Sequence, residues 1–351
     1  MKSWRTLPRL AVVSSASWRV VGVRIRRCLR GDLLVFSAAG LYIVAALVLL
    51  WHRGQLYLWH PATSWMGPEW LQAIGLAFVL VVAFANRRLR RTLTLERIVG
   101  GLVVLALVRP LMMTYLAVKQ ALWPHVVQSG WDATLFTVNR ALHGGVLPGV
   151  AVIGLLPDQA IHIMDHWYAL GWSEATIVTL TAAAWGRHVA LRRALILAYL
   201  TTWAIGGNLV AWLFASGGPC YLEHLTGNAA YRPLLERLAS IHAQTPLAAV
   251  SLQSALLHCA DTPGACFATG ISAMPSIHLA FATITALYWA RFGRWAAVAG
   301  VLFVVSVQIG SVVLGWHYAI DGYAGILLGL LVWWAVRPVA TFRPHSPAFS
   351  H

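Results

Sequence analysis

Acidic residues are scarce in this 351-residue chain, with 11 Asp and Glu against 26 Lys and Arg, and charged residues of both signs make up only 11% of it. Soluble domains carry about a quarter charged residues. The shortage, with 59% hydrophobic residues and a mean hydropathy of +0.69, excludes a water-solvated surface and makes lipid the expected solvent. Internal repeats and low-complexity runs are missing too, which excludes a solenoid or a linker-rich protein. Cysteine is sparse: Cys28, Cys220, Cys259 and Cys266. The amino terminus has no signal-peptide cleavage pattern, because Arg residues interrupt its apolar runs and the first long hydrophobic segment is long enough to stay as an anchor.

What is abundant is apolar sequence in membrane-sized lengths. A hydrocarbon core about 30 Å thick needs roughly 20 apolar helical residues. Eight stretches meet or approach that: about 33–51, 68–86, 98–117, 159–184, 193–215, 275–290, 295–314 and 318–336. The expected fold is all-α, a polytopic bundle of about eight transmembrane helices. It comprises a basic cytoplasmic segment 1–30, a membrane domain 31–338 and a cytoplasmic tail 339–351.

The formal net charge of +15 would suggest nucleic acid in a soluble protein, but its placement excludes that partner. Twenty Lys and Arg fall in the segment to Arg30, the Arg87–Arg97 turn, the 187–193 turn, the Arg291–Arg294 turn and the tail. Only Arg53, Lys119, Arg140, Arg232 and Arg237 occupy the alternating segments, and Arg109 lies inside a span. The positive-inside rule then predicts an integral protein of the plasma or inner membrane with both termini cytoplasmic. Residues 118–158 and 216–274 become long outer connections, and long loops on one face commonly carry function. The first holds an amphipathic stretch suited to a helix in the interface, with Trp131, Leu135, Val138 and Leu142 on one face and Asp132, Asn139 and His143 on another. The second begins with the breaker Gly217-Gly218-Pro219 and continues into a short helix over Tyr231–His242. Three of the cysteines fall outside, where a disulfide is permitted; Cys220, Cys259 and Cys266 allow three pairings.

Three ionisable residues recur near the carboxyl end: His278 in Pro275-Ser276-Ile277-His278, and His317 with Asp321 four residues on. The 39 residues between the histidines fit one helix down and one back, so both return to the same outer depth. Pro275 favours a helix start, and the free N–H groups of Ser276 and Ile277 beyond it would suit an anion. Gly315 breaks the preceding span, so Trp316 and His317 are expected to open the last helix. Asp321 would then share a face with His317, take the proton of one ring nitrogen and leave the other free to attack. An Asp inside a membrane helix is costly and marks a functional candidate.

These phrases resemble the phosphatidic acid phosphatase type 2 superfamily, and within it the inositol phosphorylceramide synthase-like branch. Pro275-Ser-x-His278 matches the second motif and His317-x-x-x-Asp321 the third. Ile271–Ala280 and Trp316–Gly325 look like that branch, as do Gly218–Tyr221 and Trp131-Asp132-x-x-Leu135 more loosely. The resemblance implies a phosphohistidine on His317, with Asp321 orienting it and His278 as the proton carrier. It also implies a membrane lipid phosphate as donor, and a lipid alcohol or water as acceptor. No cofactor and no metal are called for.

The first motif, Lys-x6-Arg-Pro, is incomplete: Arg109-Pro110 is present, but Leu102 stands where Lys would be. The Ser-Arg opening of the third reads Gly310-Ser311, and the second motif's Gly is Ile277. The missing cations disfavour a dianionic monoester and favour transfer from a diester. Plain lipid phosphate hydrolysis is the alternative, and a scaffold or transporter that has lost catalysis the second alternative. Candidate substrate-binding residues are Ser276, Ile277, Tyr318, Arg109, His166 and Asp132. His162 and His166 are spaced like metal or haem ligands, yet no second pair stands at their depth, so with Asp165 they read as a polar patch facing substrate. Solvated roles are the expectation for Asp132, Arg140, Glu223 and His224, and interface anchoring for most of the 18 tryptophans. The topology is testable: a single cysteine introduced at Thr245 should react with an impermeant thiol reagent from outside, and labelling only from inside would reverse the orientation.

Overall fold

The computed structural model describes residues 32–59, 101–103, 106–186, 188–262 and 270–341. The basic segment 1–30, the 68–86 stretch, the Arg87–Arg97 turn, Cys28, Cys266, Trp65, Trp70 and residues 342–351 lie outside the described residues. Within them the chain is all-helical. The elements used below are α1 (Leu33–His52), α2 (Val108–Gln120), α3 (Trp123–Ser129), α4 (Trp131–Leu142), α5 (Pro148–Ile153), α6 (Asp158–His166), α7 (Trp172–Ala184), α8 (Val189–Thr201), α9 (Leu222–Thr226), α10 (Arg232–Gln244), α11 (Ala248–Asp261), α12 (Ile277–Trp289), α13 (Arg294–Val313) and α14 (Ala319–Thr341). Two π-helical segments are spliced in, Trp167–Gly171 between α6 and α7 and Thr202–Val210 after α8.

Five helical runs among the described residues are long and apolar enough to cross a membrane: Leu33–His52, Gly101–Ser129, Val189–Leu213, Arg294–Val313 and Ala319–Ala340. The expected count of eight is not reached there. The 68–86 stretch lies outside the described residues and goes uncounted. The 159–184 stretch is helical throughout, but Asp165 and Glu174 keep it from being a plain apolar span. The 275–290 stretch gives only the 13 residues of α12 before a 3-10 turn and Gly293, whose φ of +128° ends it.

The bundle is apolar on its outside as well as within. Leu41, Leu302 and Trp334 are each more than 60% exposed on α1, α13 and α14, as lipid-facing positions should be. One buried cluster joins α1, α8, α12 and α14, and a second joins α4, α6, α10, α12 and α13. At one end Asp32 is buried and held by Arg192 at 2.5 Å and Arg193 at 3.2 Å, tying α1 to α8. At the other, the Arg53 guanidinium lies 4.6 Å from the Trp212 ring centroid.

Without hydrophobic drive between helices in lipid, close approach relies on small residues. Gly325 and Gly329 provide it between α14 and α12. A Cβ at Gly325 would sit 2.2 Å from the Ser276 carbonyl oxygen, and one at Gly329 2.8 Å from that of Ala280. Gly325→Ala and Gly329→Ala are therefore each expected to lower stability by about 1–3 kcal/mol. Gly40→Ala, whose Cβ would meet nothing within 4 Å, should cost nothing. Thermal melts of the purified variants in detergent check this; equal melting points for all three would contradict the packing.

Candidate active site

The two motifs meet through backbone. Asp321 lies in the first turn of α14, and its carbonyl oxygen accepts the Ser276 N–H at 2.9 Å. Its carboxylate Oδ2 accepts the Tyr318 N–H at 2.9 Å and stands 3.5 Å from His317 Nδ1. That last distance is a close ionic contact rather than a formed hydrogen bond. His317 does not open the last helix. It lies in a turn set by Gly315 (φ +74°), where Trp316 and His317 both donate their N–H to the Ser311 carbonyl, and α14 starts only at Ala319. The turn, not a shared helical face, brings the ring to the carboxylate. With Nδ1 turned to Asp321, Nε2 is the nitrogen left for chemistry.

His278 occupies the first turn of α12, and its ring centroid is 5.8 Å from that of His317, so the matched depth expected from the spacing is found. Two aromatic rings hold it: Trp172 edge-on at 4.5 Å and Tyr168 at 5.2 Å. Both come from the π segment and its junction with α7. π turns are frequent at functional sites because they re-aim side chains.

Around the histidines lies a cavity of about 250 Å³, whose walls include Lys119, Tyr168, Trp172, Trp316, His278 and His317. Several polar atoms beside it are buried without a hydrogen-bond partner: Tyr168 Oη, Ser276 Oγ, His317 Nδ1 and Asp321 Oδ1. Native proteins leave few such groups, and four in one place fit a site that a polar ligand completes. Described parts of the 216–274 connection close over it. Cys220 N–H donates to Gly315 O, and Ala273 N–H and Met274 N–H donate to the Ser216 carbonyl and hydroxyl. Cys220 is free and Cys259 is disulfide-bonded, which removes the two pairings that would use Cys220.

Several expected substrate contacts fall elsewhere. The Ser276 N–H is taken by Asp321, so the unbonded donors of the α12 start are those that come after it. Ile277 packs into the apolar cluster around α8. Tyr318 is fully buried and gives its hydroxyl to Asp132. His166 is exposed, because only Asp165 on that turn points inward, where its carboxylate caps α11 through the Ala248 and Ala249 N–H groups. Arg109 is exposed near the start of α2. That helix continues to Gln120, so Arg109 lies ten residues, about 15 Å, from Lys119 at the cavity end. Sequence reading missed Lys119, Tyr168, Trp172 and Trp316; a cation near the carboxyl end of α2 was the only available signal.

Asp132 also departs from its expected solvated role. The polar face of α4 points inward: Asn139 bonds Tyr231, and Asp132 accepts the Gly217 and Gly218 N–H groups at 2.8 and 2.9 Å. The apolar Val138 and Leu142 face outward, as an interface-lying helix requires. Glu223, paired with Arg232, and Arg140 are exposed as expected. Burial pushes the Asp132 carboxyl up to about 6, against the lowering effect of its three donors. In the unfolded chain an Asp titrates near ~4, so the stability linked to this proton is full below about pH 4 and is lost as pH rises through about 6. Relative to Asp132→Asn, wild type should lose melting temperature between pH 4.5 and 7. A difference that stays flat, or runs the other way, contradicts that environment.

Comparison with known proteins adds a family. No curated protein and no solved structure matches the chain. The PAP2 superfamily profile matches residues 133–335, which is more than half of the sequence and includes both histidines and Asp321; the chain belongs to the PAP2 superfamily.

Proposed function

We propose that this chain is a metal-independent membrane phosphotransferase, acting on a lipid phosphate ester at the extracytoplasmic face through a phosphohistidine. PAP2 membership supports action on phosphate esters. The observation that carries the reading is the paired histidines at 5.8 Å, with Asp321 behind one of them, on a cavity bordered by unpartnered buried polar atoms.

In the first half-reaction the Nε2 lone pair of His317 attacks phosphorus, and the bond from phosphorus to the leaving oxygen breaks. Protonated His278 gives its proton to that oxygen. Asp321 holds the Nδ1 proton of His317 and offsets the positive charge that the ring acquires. In the second half-reaction neutral His278 takes the proton of an acceptor hydroxyl, the acceptor oxygen attacks phosphorus, and the P–N bond breaks to restore His317. Positioning and charge compensation supply most of the acceleration. The synthase-like branch, with a phosphodiester donor and a lipid alcohol acceptor, is the finer reading, supported by the incomplete first motif. Lys119 favours hydrolysis instead, since its charge offsets part of the loss of the first-motif lysine. The two readings differ in the acceptor and in the charge of the donor phosphate.

Purified protein given head-group-labelled phosphatidylinositol, a ceramide or diacylglycerol acceptor and EDTA should transfer the label faster than it releases it. His317→Ala and His278→Ala should each lower turnover by roughly 10²–10⁴, and Asp321→Asn should cripple it by releasing the tautomer. Wild-type rates in correctly folded histidine variants would end the covalent mechanism. Hydrolysis of phosphatidic acid outpacing all transfer would make the chain a phosphatase, and a strict Mg²⁺ requirement would contradict metal independence.

A further inference from the structure

Lys119 stands at the junction of two cavities. It lines the histidine cavity, and it also lines a second one of about 240 Å³ between α1, the end of α2 and the Thr202–Val210 segment. The chain has only two lysines, the other being Lys2. Lys119 is held in place: Gly270 packs on its backbone and stem so closely that a Cβ there would come within 2.6 Å, and its ammonium lies 5.9 Å from the Tyr115 ring centroid. Among the described residues no carboxylate pairs with it. Asp165, the acidic residue on the same cavity, is already engaged by two backbone N–H groups.

The second cavity is graded. Arg53 and Lys119 stand at one end, and its walls run inward past Leu50, Leu49 and Ala46 to Tyr42. Eleven residues of α1 separate Tyr42 from Arg53, about 16 Å along the helix axis. A charged mouth over an apolar slot of that depth suits a molecule with an anionic head and a hydrocarbon tail. Arg109 is about 15 Å along α2 from Lys119, so Lys119 is the cation closest to the histidines in the chain's own α2 span.

We propose that Lys119 binds the phosphate of a lipid substrate at the histidines, and that the adjoining cavity takes a hydrocarbon chain of that same lipid. The inference rests on the phosphate-ester reading above, and deepens it by fixing where the head and the tail lie. Phosphate to the histidine side and tail to the α1 side would orient the reacting phosphorus toward His317, with Lys119 neutralising charge that the departed first-motif lysine does not.

Binding tests this without depending on turnover. Native mass spectrometry of the purified full chain would compare dioleoyl with dihexanoyl phosphatidic acid. Lys119→Met should weaken both about tenfold or more, as expected for a lost charge-assisted hydrogen bond, while Lys119→Arg stays within about threefold of wild type. Ala46→Leu, or Ala45→Leu at an exposed position on the same wall, should weaken only the dioleoyl lipid, by roughly tenfold. Unchanged binding in Lys119→Met, or equal effects of the alanine variants on both lipids, would overturn the proposal. Intact binding with no turnover of any phosphate ester would instead remove the enzymatic reading and leave this site standing.

Discussion

The arrangement depends on one backbone hydrogen bond, from the Ser276 N–H to the Asp321 carbonyl oxygen. It joins the start of α12 to the start of α14 and thereby sets His278 against His317. It forms only because Gly325 and Gly329 let the two helices touch along their backbones. In lipid such a contact is favourable without a hydrophobic contribution, since the alternative partners for those helices are equally apolar acyl chains. The chemistry is thus mounted on a pair of helices locked by main-chain contact, and the side chains inherit their spacing from it.

A second layer adjusts what the first positions. Asp132 and Asp165, both buried, hold neighbouring segments by their N–H groups: one the Gly217-Gly218 bend, the other the start of α11. Each carboxylate points inward from its helix and satisfies two backbone donors of a neighbouring segment. The surroundings of the histidine pair are left less satisfied than this frame, with four buried polar atoms lacking partners. Stability has been placed around the site rather than in it.

The helical class, the membrane and the pairing of His278 with His317 were legible in sequence, because hydrophobic length and a fixed interval report helix number and depth directly. The rest was not, for local reasons. That His317 sits in a turn results from the positive φ of Gly315 and the Ser311 carbonyl acting on two N–H groups, which no spacing reveals. Asp132 read as solvated because its neighbours on that face of α4 are polar, yet the face turns inward onto Tyr231 and the Gly217-Gly218 bend. Tyr168 and Trp172 reach His278 through a π segment, which leaves no trace in hydrophobic periodicity.

That π segment, Trp167–Gly171, has a consequence for the chain's evolution. A π turn is an α-helix with an inserted residue, and each added residue rotates the downstream helix by about 100°. Upstream, Asp165 faces α11; downstream, Trp172 faces His278. Removing any one residue between them would restore an ordinary helix, and would turn one of those two faces away from its partner. Changes of length cannot be tolerated here. The residue count of the stretch should therefore stay fixed among descendants of this sequence.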